Sequence, residues 1–543
     1  MVAVAVRSFD GLYPIIGKES LPNEAAQVAV NCRLEGADLE SWKGGLDILA
    51  LTSTNPVKTI YRYNIGSPSE TAFWFQWDTD VNVVKGPIAG DTEERTYWTG
   101  DGAYPKKTRS DIATTAPPYP ANHFRLGIPR PTVVPAVAIS GTATDPNSAA
   151  DTAAWGYTYV TTWDEEGPMS PLTALATWRP GQTPNLSNLG TAAPTGPYSI
   201  NRKRIYRSNS GTSTTDLQFV TEVAVTVGTF ADTVLTSLLG AVSVTRNFTP
   251  PPDDIAGLCV MANGMMAAFS QNTVYFCEPG IPYAWPTRYA YPYDAPVVAI
   301  APYGGSLLVM TKRGTYLLTG NDPAAMGGEQ IKYVGTCLSK RGVTPYGDGI
   351  IYPVKLGLQY IGPDGVSLLT KDHFDERGWG AYSPETFTSA LIAGRYVAFF
   401  DTGAKQGGLI ITFNPLKVVE TTLFGTAAWT EQGTERMYFV LPSKMIQRWD
   451  AGTALSYTWR SKAYRYVAPE SWVWGKVEGD AYPVTIRVYA NGALLHTQTV
   501  PDKFAFILPA AGNQFDRWEF ELAAATRITA VTFTSSMTEM KKL

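Results

Sequence analysis

The sequence predicts an all-β protein: a β-propeller carrying an inserted fibronectin- or immunoglobulin-like β-sandwich and a C-terminal β domain. Three observations carry this expectation. Aromatic residues are abundant, with 29 Tyr, 21 Phe and 15 Trp, and such side chains pack well on a pleated, half-buried surface. The 49 Gly and 39 Pro are spread along the whole chain, which suits many short strands joined by tight turns. Between residues 253 and 460 a unit of strands with a Gly-containing turn recurs every ~40 residues, a period at which propeller blades repeat.

At 543 residues the chain exceeds one ordinary domain. Residues 1–55 read as a polar, irregular lead-in, with one helical turn or a short helix expected at Leu21-Pro22-Asn23-Glu24-Ala25-Ala26-Gln27 and a hairpin-like stretch from Cys32 to Trp42 turning at Glu35-Gly36. Residues 56–127 are the first propeller portion, a single early blade containing the aromatic run Phe73-Trp74-Phe75-Gln76-Trp77 and a turn at Asp101-Gly102. The proline clusters Pro117-Pro118-Tyr119-Pro120 and Ile128-Pro129-Arg130-Pro131 cannot continue a ladder, because proline has no N–H. They and Pro250-Pro251-Pro252 bound the insert, residues 128–252. Within it Tyr157-Thr158-Tyr159-Val160 and Arg204-Ile205-Tyr206-Arg207 alternate with period two, as half-buried strands do.

Residues 253–460 supply the remaining blades. Hairpins are expected over 258–276 with Asn263-Gly264 at the turn, then over 297–319, 349–361, 395–413 and 437–450. Residues 461–543 form a separate C-terminal β-sandwich, marked by Val484-Thr485-Ile486-Arg487-Val488 running into Asn491-Gly492, a strong hairpin signal.

Composition excludes several functions. Basic and acidic residues number 44 and 48, a net charge of −4, so the chain lacks the basic footprint of a protein that grips nucleic acid. No apolar run approaches the ~20 residues of a membrane-spanning helix. Met1-Val2-Ala3-Val4-Ala5-Val6-Arg7 has the wrong length and charge order for a signal peptide, so synthesis and folding in a cytoplasm are expected, and the Asn185 and Asn247 sequons carry little meaning. Cys32, Cys259, Cys277 and Cys337 form no CxxC pair and are expected as buried free thiols.

Nor does the sequence assemble an obvious active site. Catalytic, cofactor and metal residues are expected to be absent. His123, His373 and His496 have no partners at motif spacing. Asp372-His373-Phe374-Asp375-Glu376 is the densest group of possible cation ligands, and a solvated loop is the better expectation. Residues 11–19, with Gly17-Lys18, miss the phosphate-loop spacing and end in Glu19 where Ser or Thr is needed. The pairs Glu93-Glu94, Glu165-Glu166 and Asp253-Asp254 are adjacent, and adjacent strand residues point to opposite faces, poor geometry for joint acid–base work. Trp74, Trp77 and Trp98 could stack sugars or bases, but their strand setting favours core packing.

Against this background a family resemblance enters. The stretch Glu278-Pro279-Gly280-Ile281-Pro282-Tyr283-Ala284-Trp285-Pro286, then Leu307-Leu308-Val309-Met310-Thr311, Asn321-Asp322-Pro323 and Cys337-Leu338-Ser339-Lys340-Arg341-Gly342-Val343, resembles the nozzle, or tail tubular protein B, family of short-tailed bacteriophages and related packaged-DNA-stabilising hub proteins. The N-terminal Leu21-Pro22, Asn31-Cys32 and Lys43-Gly44 and the insert's Arg204-Ile205-Tyr206-Arg207-Ser208 fit the same order. The resemblance implies a structural, non-enzymatic virion protein made in the host cytoplasm. It implies a hexameric ring below a head-to-tail adaptor, open to contact with tail fibres or a tail needle. The ring would retain packaged double-stranded DNA and conduct it during ejection. A host- or glycan-binding propeller, a tail adhesin or lectin, is the alternative expectation. A hydrolase on a propeller scaffold, with Asp372 or Asp375 at work, is the third.

Overall fold

Short strands dominate because the chain alternates β-branched and aromatic residues between glycine and proline turns. The computed structural model describes residues 3–66, 71–88, 90–210, 215–431, 433–509 and 514–542; Met1 and Val2 of the N-terminal stretch lie outside them. Among the described residues, seven small antiparallel sheets follow one another around a ring.

In chain order, blade 1 is Thr59–Ile65 with Thr71–Trp77, and blade 2 is Asn82–Lys85, Thr96–Thr99, Lys106–Thr108 and Phe124–Arg125. Blade 3 runs from Ala256–Val260 to Ala290–Pro292, blade 4 from Val297–Tyr303 to Gly327–Ile331, and blade 5 from Thr344–Tyr346 to Gly365–Leu368. Blade 6 runs from Thr388–Ile392 to Lys417–Thr421. Blade 7 is Ala427–Glu431, Arg436–Val440 and Met445–Arg448, completed by the N-terminal strand Leu46–Ala50. The first strand of each blade lies innermost.

Apolar side chains from neighbouring blades close the seams, which is what holds the ring. Tyr63, Phe75 and Trp77 of blade 1 pack with Trp98 of blade 2. Tyr97 of blade 2 meets Leu258 and Met266 of blade 3. Phe269 meets Leu307 and Val309 between blades 3 and 4, and Leu308 and Met310 meet Ile350 and Tyr352 between blades 4 and 5. One large core joins blades 5, 6 and 7 through Ile351, Tyr396, Phe399 and Phe439. Ile60 and Trp74 meet Ala427 and Tyr438 at the last seam, completing the circle.

Where one early blade was expected, residues 56–127 hold two. Blade 1 has only two strands, and the proline linker substitutes for a third: Tyr119 bridges Phe75 in parallel, and the Gln76 N–H donates to the Tyr119 carbonyl at 3.0 Å. A proline-rich segment serves here because carbonyls accept even where N–H groups are missing.

The insert contains two three-stranded sheets. One joins Ala136–Ser140, Thr183–Ser187 and Phe230–Ala231, the other Trp155–Thr161, Ile200–Ser210 and Thr215–Ala224. They share a core of Trp155, Tyr157, Leu186, Ile205 and Val220.

Residues 21–27 hold a single turn, the Ala25 N–H on the Pro22 carbonyl at 3.2 Å, and no short helix. Ala26–Val30 is a strand, because it finds two partners that local sequence does not reveal. It pairs antiparallel with Tyr457–Ser461 and touches blade 6 in parallel at Val30 and Glu420. Blade 6 thereby continues into the C-terminal strands as one ten-stranded sheet. Ala3–Val6 pairs with Ile528–Thr534 in the sheet that packs on the other side of this core. The sequence boundaries at 55 and 461 therefore part strands that the sheets join.

Candidate functional site at the propeller axis

Carbonyls at the entry ends of the inner strands lie outside the blade ladders, and one turn satisfies several of them. This is the short 3-10 turn Lys340–Gly342 before blade 5. Arg341 Nη2 donates to the Lys58 carbonyl at the entry of blade 1 and to the Thr426 carbonyl at the entry of blade 7, both at 2.6 Å. Lys340 Nζ donates to Asn82 Oδ1 of blade 2 at 2.7 Å and pairs with Asp80 at 3.2 Å. The Arg341 carbonyl accepts from Ser389 Oγ of blade 6 at 3.1 Å, and Tyr396 donates to the Gly342 carbonyl at 2.9 Å. Only glycine fits at 342, since a Cβ there would stand 2.7 Å from the Pro353 ring. Burial lowers the Arg341 pKa from its ordinary value while the Asp80 charge works the other way; a guanidinium stays charged through such a shift. The turn thus bridges blades 7, 1, 2 and 6 across the axis and closes that end.

From beside this turn an open groove of about 500 Å³ runs along the inner strands of blades 5, 6 and 7, lined by Val343, Pro345, Ser389, Leu391, Trp429 and Thr430. Beside it a polar recess of about 190 Å³ holds the ion pairs Arg62–Glu431 and Lys85–Glu94. Every cation named here already has a carbonyl or carboxylate partner, so these groups tie blades together. We expect Arg341→Met to lower stability by about 2–3 kcal/mol, the scale of a charge-assisted hydrogen bond lost with a carbonyl left unpaired, read as a lower urea midpoint. Arg341→Lys should recover part of the loss.

The residues singled out in the sequence are scattered. Trp74, Trp77 and Trp98 are 6%, 6% and 0% exposed and fill the seams beside blade 1, so they offer no stacking platform. His123 lies half-buried against Trp98 and Tyr104. His496 lies on the edge strand Ala493–Val500. Asp375 caps the helix Glu376–Gly380, accepting from the Gly378 N–H at 2.7 Å, and Glu376 pairs with Lys355. Among the described residues no three His, Cys, Asp or Glu side chains converge as cation ligands. Within residues 11–19, the Leu12 N–H joins the Val418 carbonyl and Lys18 pairs with buried Glu519.

The carboxylate pairs separate. Glu93 pairs with Arg109 and Glu94 with Lys85. Asp253 pairs with Arg125, and Asp254 accepts from Ser270. Glu165 reaches Lys107 of blade 2 in a buried ion pair, with Lys107 also over the Trp163 ring, whereas Glu166 turns inward to Thr158, Arg204 and Tyr206. This couple fastens the insert to blade 2. All four cysteines are free, and burial pushes the thiols of Cys259, Cys277 and Cys337 up to about 12, which leaves little thiolate at neutral pH.

Among the described residues, His373 is a buried ring with neither nitrogen in a well-formed hydrogen bond; it stacks on Tyr13 at 4.2 Å. Burial lowers its pKa, with Asp10 and Asp372 pulling the other way. The unfolded chain therefore takes up this proton first as pH falls below about 6.5, and the native state loses stability from there downward. His373→Phe, which retains the stack, should flatten that part of the stability–pH curve; an unchanged slope would refute the assignment.

Lys340 and Arg341 were not recognisable from sequence as ties across the ring, nor Lys107 as the tie between insert and blade 2, since each reads as a surface cation. A Lys-Arg-Gly turn directly before an inner strand was the available signal.

No family model matches the chain, and no curated protein matches it. Among solved structures, the chain is similar to the N-terminal domain of Nup159 at 9% identity and a TM-score of 0.25, covering 61% of this chain and 87% of that one. It is also similar to the AfRom2 CNH domain at 9% identity and a TM-score of 0.26, covering 75% and 97%. Likeness at this level carries no inference about role, and the propeller assignment rests on the ring of blades itself.

Proposed function

We propose that the chain is a structural subunit of the tail nozzle of a short-tailed bacteriophage, and not an enzyme. Copies would assemble into a ring, hexameric in the family it resembles, beneath a head-to-tail adaptor and near the tail fibres or needle. The ring would hold packaged DNA and conduct it on ejection, after synthesis of its subunits in the host cytoplasm.

The observation that supports this reading best is the closed propeller axis. With Lys340 and Arg341 spanning it, the proposed conduit would lie between subunits. The subunit's own modules are tied together by the ten-stranded sheet and the buried Lys107–Glu165 pair, as a wall under pressure requires. A net charge of −4 suits a lumen over which phosphates slide, since few counterions are released on contact. Purified protein should accordingly bind duplex DNA weakly; tight binding at physiological salt would contradict a slippery lumen. The adhesin reading loses the tryptophan platform that would have favoured it, because those rings are buried.

The deciding experiment is gold-labelled antibody on source particles. Label at the distal end of a short tail supports the nozzle. Label on lateral fibres supports the adhesin, and absence from particles removes both.

A further inference from the structure

Beside the C-terminal strands lies a polar recess of about 410 Å³, lined by Val4, Glu19, Lys462, Tyr464, Arg465 and Tyr466 among others, a volume in the range of small-molecule sites. Val4 belongs to Ala3–Val6, which among the described residues pairs on one side only, with Ile528–Thr534. In an antiparallel pair alternate N–H groups point away from the partner, so this strand brings unpaired backbone donors to the recess. Lys462 has no ion-pair partner among the described residues, and its Nζ lies 5.9 Å from the centre of the Tyr464 ring.

The arginines here are placed at a cost. Arg465 stands directly opposite Arg517 in the ladder between Tyr464–Glu470 and Phe515–Ala524, and like charges so opposed destabilise a sheet. One carboxylate answers both. Glu19 accepts from Arg465 Nη1 at 3.3 Å and from Arg517 Nη1 at 3.4 Å, well beyond the length of a strong charge-assisted bond. A guanidinium has five N–H groups to donate, and each of these arginines gives a single side-chain bond, to Glu19. Arg517 Nε is buried and has no partner. Ion pairs elsewhere on this sheet are tighter: Arg460 meets Glu519 at 2.6 Å.

Lys462, Arg465 and Arg517 against Glu19 leave two uncompensated positive charges, in a chain whose net charge is −4. Glu24 and Glu470 lie near Tyr464 and Tyr466 but do not line the recess. A phosphate monoester carries about −1.5 to −2 at neutral pH and matches this excess, whereas a sulfate ester or a DNA phosphodiester brings one charge only. We propose that the recess binds a phosphate monoester, with Arg465 and Lys462 on the phosphate oxygens and Arg517 adding its charge from beside Glu19. Tyr464 and Tyr466 offer ring surface to the group that carries the phosphate, such as a sugar. The site is independent of the nozzle reading.

Isothermal titration of the full chain at physiological salt, in a buffer without phosphate, tests this with glucose 6-phosphate, glucose 6-sulfate and inorganic phosphate. The phosphate ester should bind saturably at one site, about tenfold more tightly than the sulfate ester. Arg465→Gln and Lys462→Gln should each weaken it about tenfold, the scale of one charge-assisted contact, with the urea midpoint unchanged. Glu19→Gln removes the competing carboxylate and should bind more tightly while melting lower without ligand. Inorganic phosphate binding as well as the sugar ester would support the site with the free ion as its source; a tighter ester would support it with the phosphorylated sugar as the source. Equal affinity for sulfate and phosphate esters overturns the proposal, as does the absence of saturable binding or wild-type affinity in both the Arg465 and Lys462 variants.

Discussion

Trp472→Ala will cost about 3–5 kcal/mol, the range for emptying a buried tryptophan site. Trp472 is fully buried between the two C-terminal sheets. Its ring stacks on Phe533 at 4.5 Å and 11° and on Trp518 at 5.2 Å and 18°, with Phe520 at 6.3 Å. Its indole N–H donates to the Tyr466 hydroxyl at 3.1 Å. Alanine would remove the ring stacked on both Phe533 and Trp518, leaving the Phe520–Phe533 contact at 5.1 Å to span the sheets, and would leave Tyr466 without its donor. Trp472→Phe keeps much of the area and should recover more than half of the loss. The urea midpoint measures it, and a cost below about 1 kcal/mol for alanine, the size of a minor core trim, would mean the two sheets collapse onto each other without it.

Asn31→Ala should cost about 3 kcal/mol, from several hydrogen bonds lost at once with buried partners left unpaired. Asn31 is 3% exposed. Its Oδ1 accepts from Thr421 Oγ1 at 2.9 Å and the Thr422 N–H at 3.0 Å, while Nδ2 donates to the Ser456 carbonyl at 3.1 Å. One side chain thus ties the N-terminal strand to blade 6 and to the C-terminal strands. Its φ is +59°, a left-handed conformation that asparagine tolerates and alanine resists. Asn31→Gly separates the causes: it relieves the backbone and still loses the bonds. If glycine restored wild-type stability, the hydrogen bonds would be worth little and backbone strain would be the whole effect.

Local patterns were legible and distant pairings were not. Asn491-Gly492 announced its hairpin because both residues must adopt positive φ, and they do, at +46° and +85°. Asn263-Gly264 likewise sits between Ala256–Val260 and Met266–Ser270. The recurring blades could be read because each hairpin is complete within its own segment. The start of Ala26–Val30 was included in a helical turn or short helix over 21–27, since Glu24-Ala25-Ala26-Gln27 has good helix formers and its strand partners lie 390 or more residues away. The same distance hid the union of the N- and C-terminal strands. At the axis, the only sequence signal for Lys340-Arg341 is the Lys-Arg-Gly turn before an inner strand, which does not say that the cations reach the carbonyls of other blades. The placement of the tryptophans in the seams follows from their alternation on strands.

The strand that completes blade 7 has a consequence for biogenesis. Asp47 and Gln447, paired across that final seam, are 400 residues apart. A ribosome adding about 5–20 residues per second needs roughly 20–80 s to cover that distance. Throughout that time Leu46, Ile48 and Leu49 wait without their ladder partner. Earlier blades can form as they emerge, but the circle stays open until the last hairpin leaves the exit tunnel. Nascent chains truncated before Met445 should therefore be the species that chaperones hold and that aggregate when crowded, whereas release of the finished blade 7 converts them together into closed, soluble subunits.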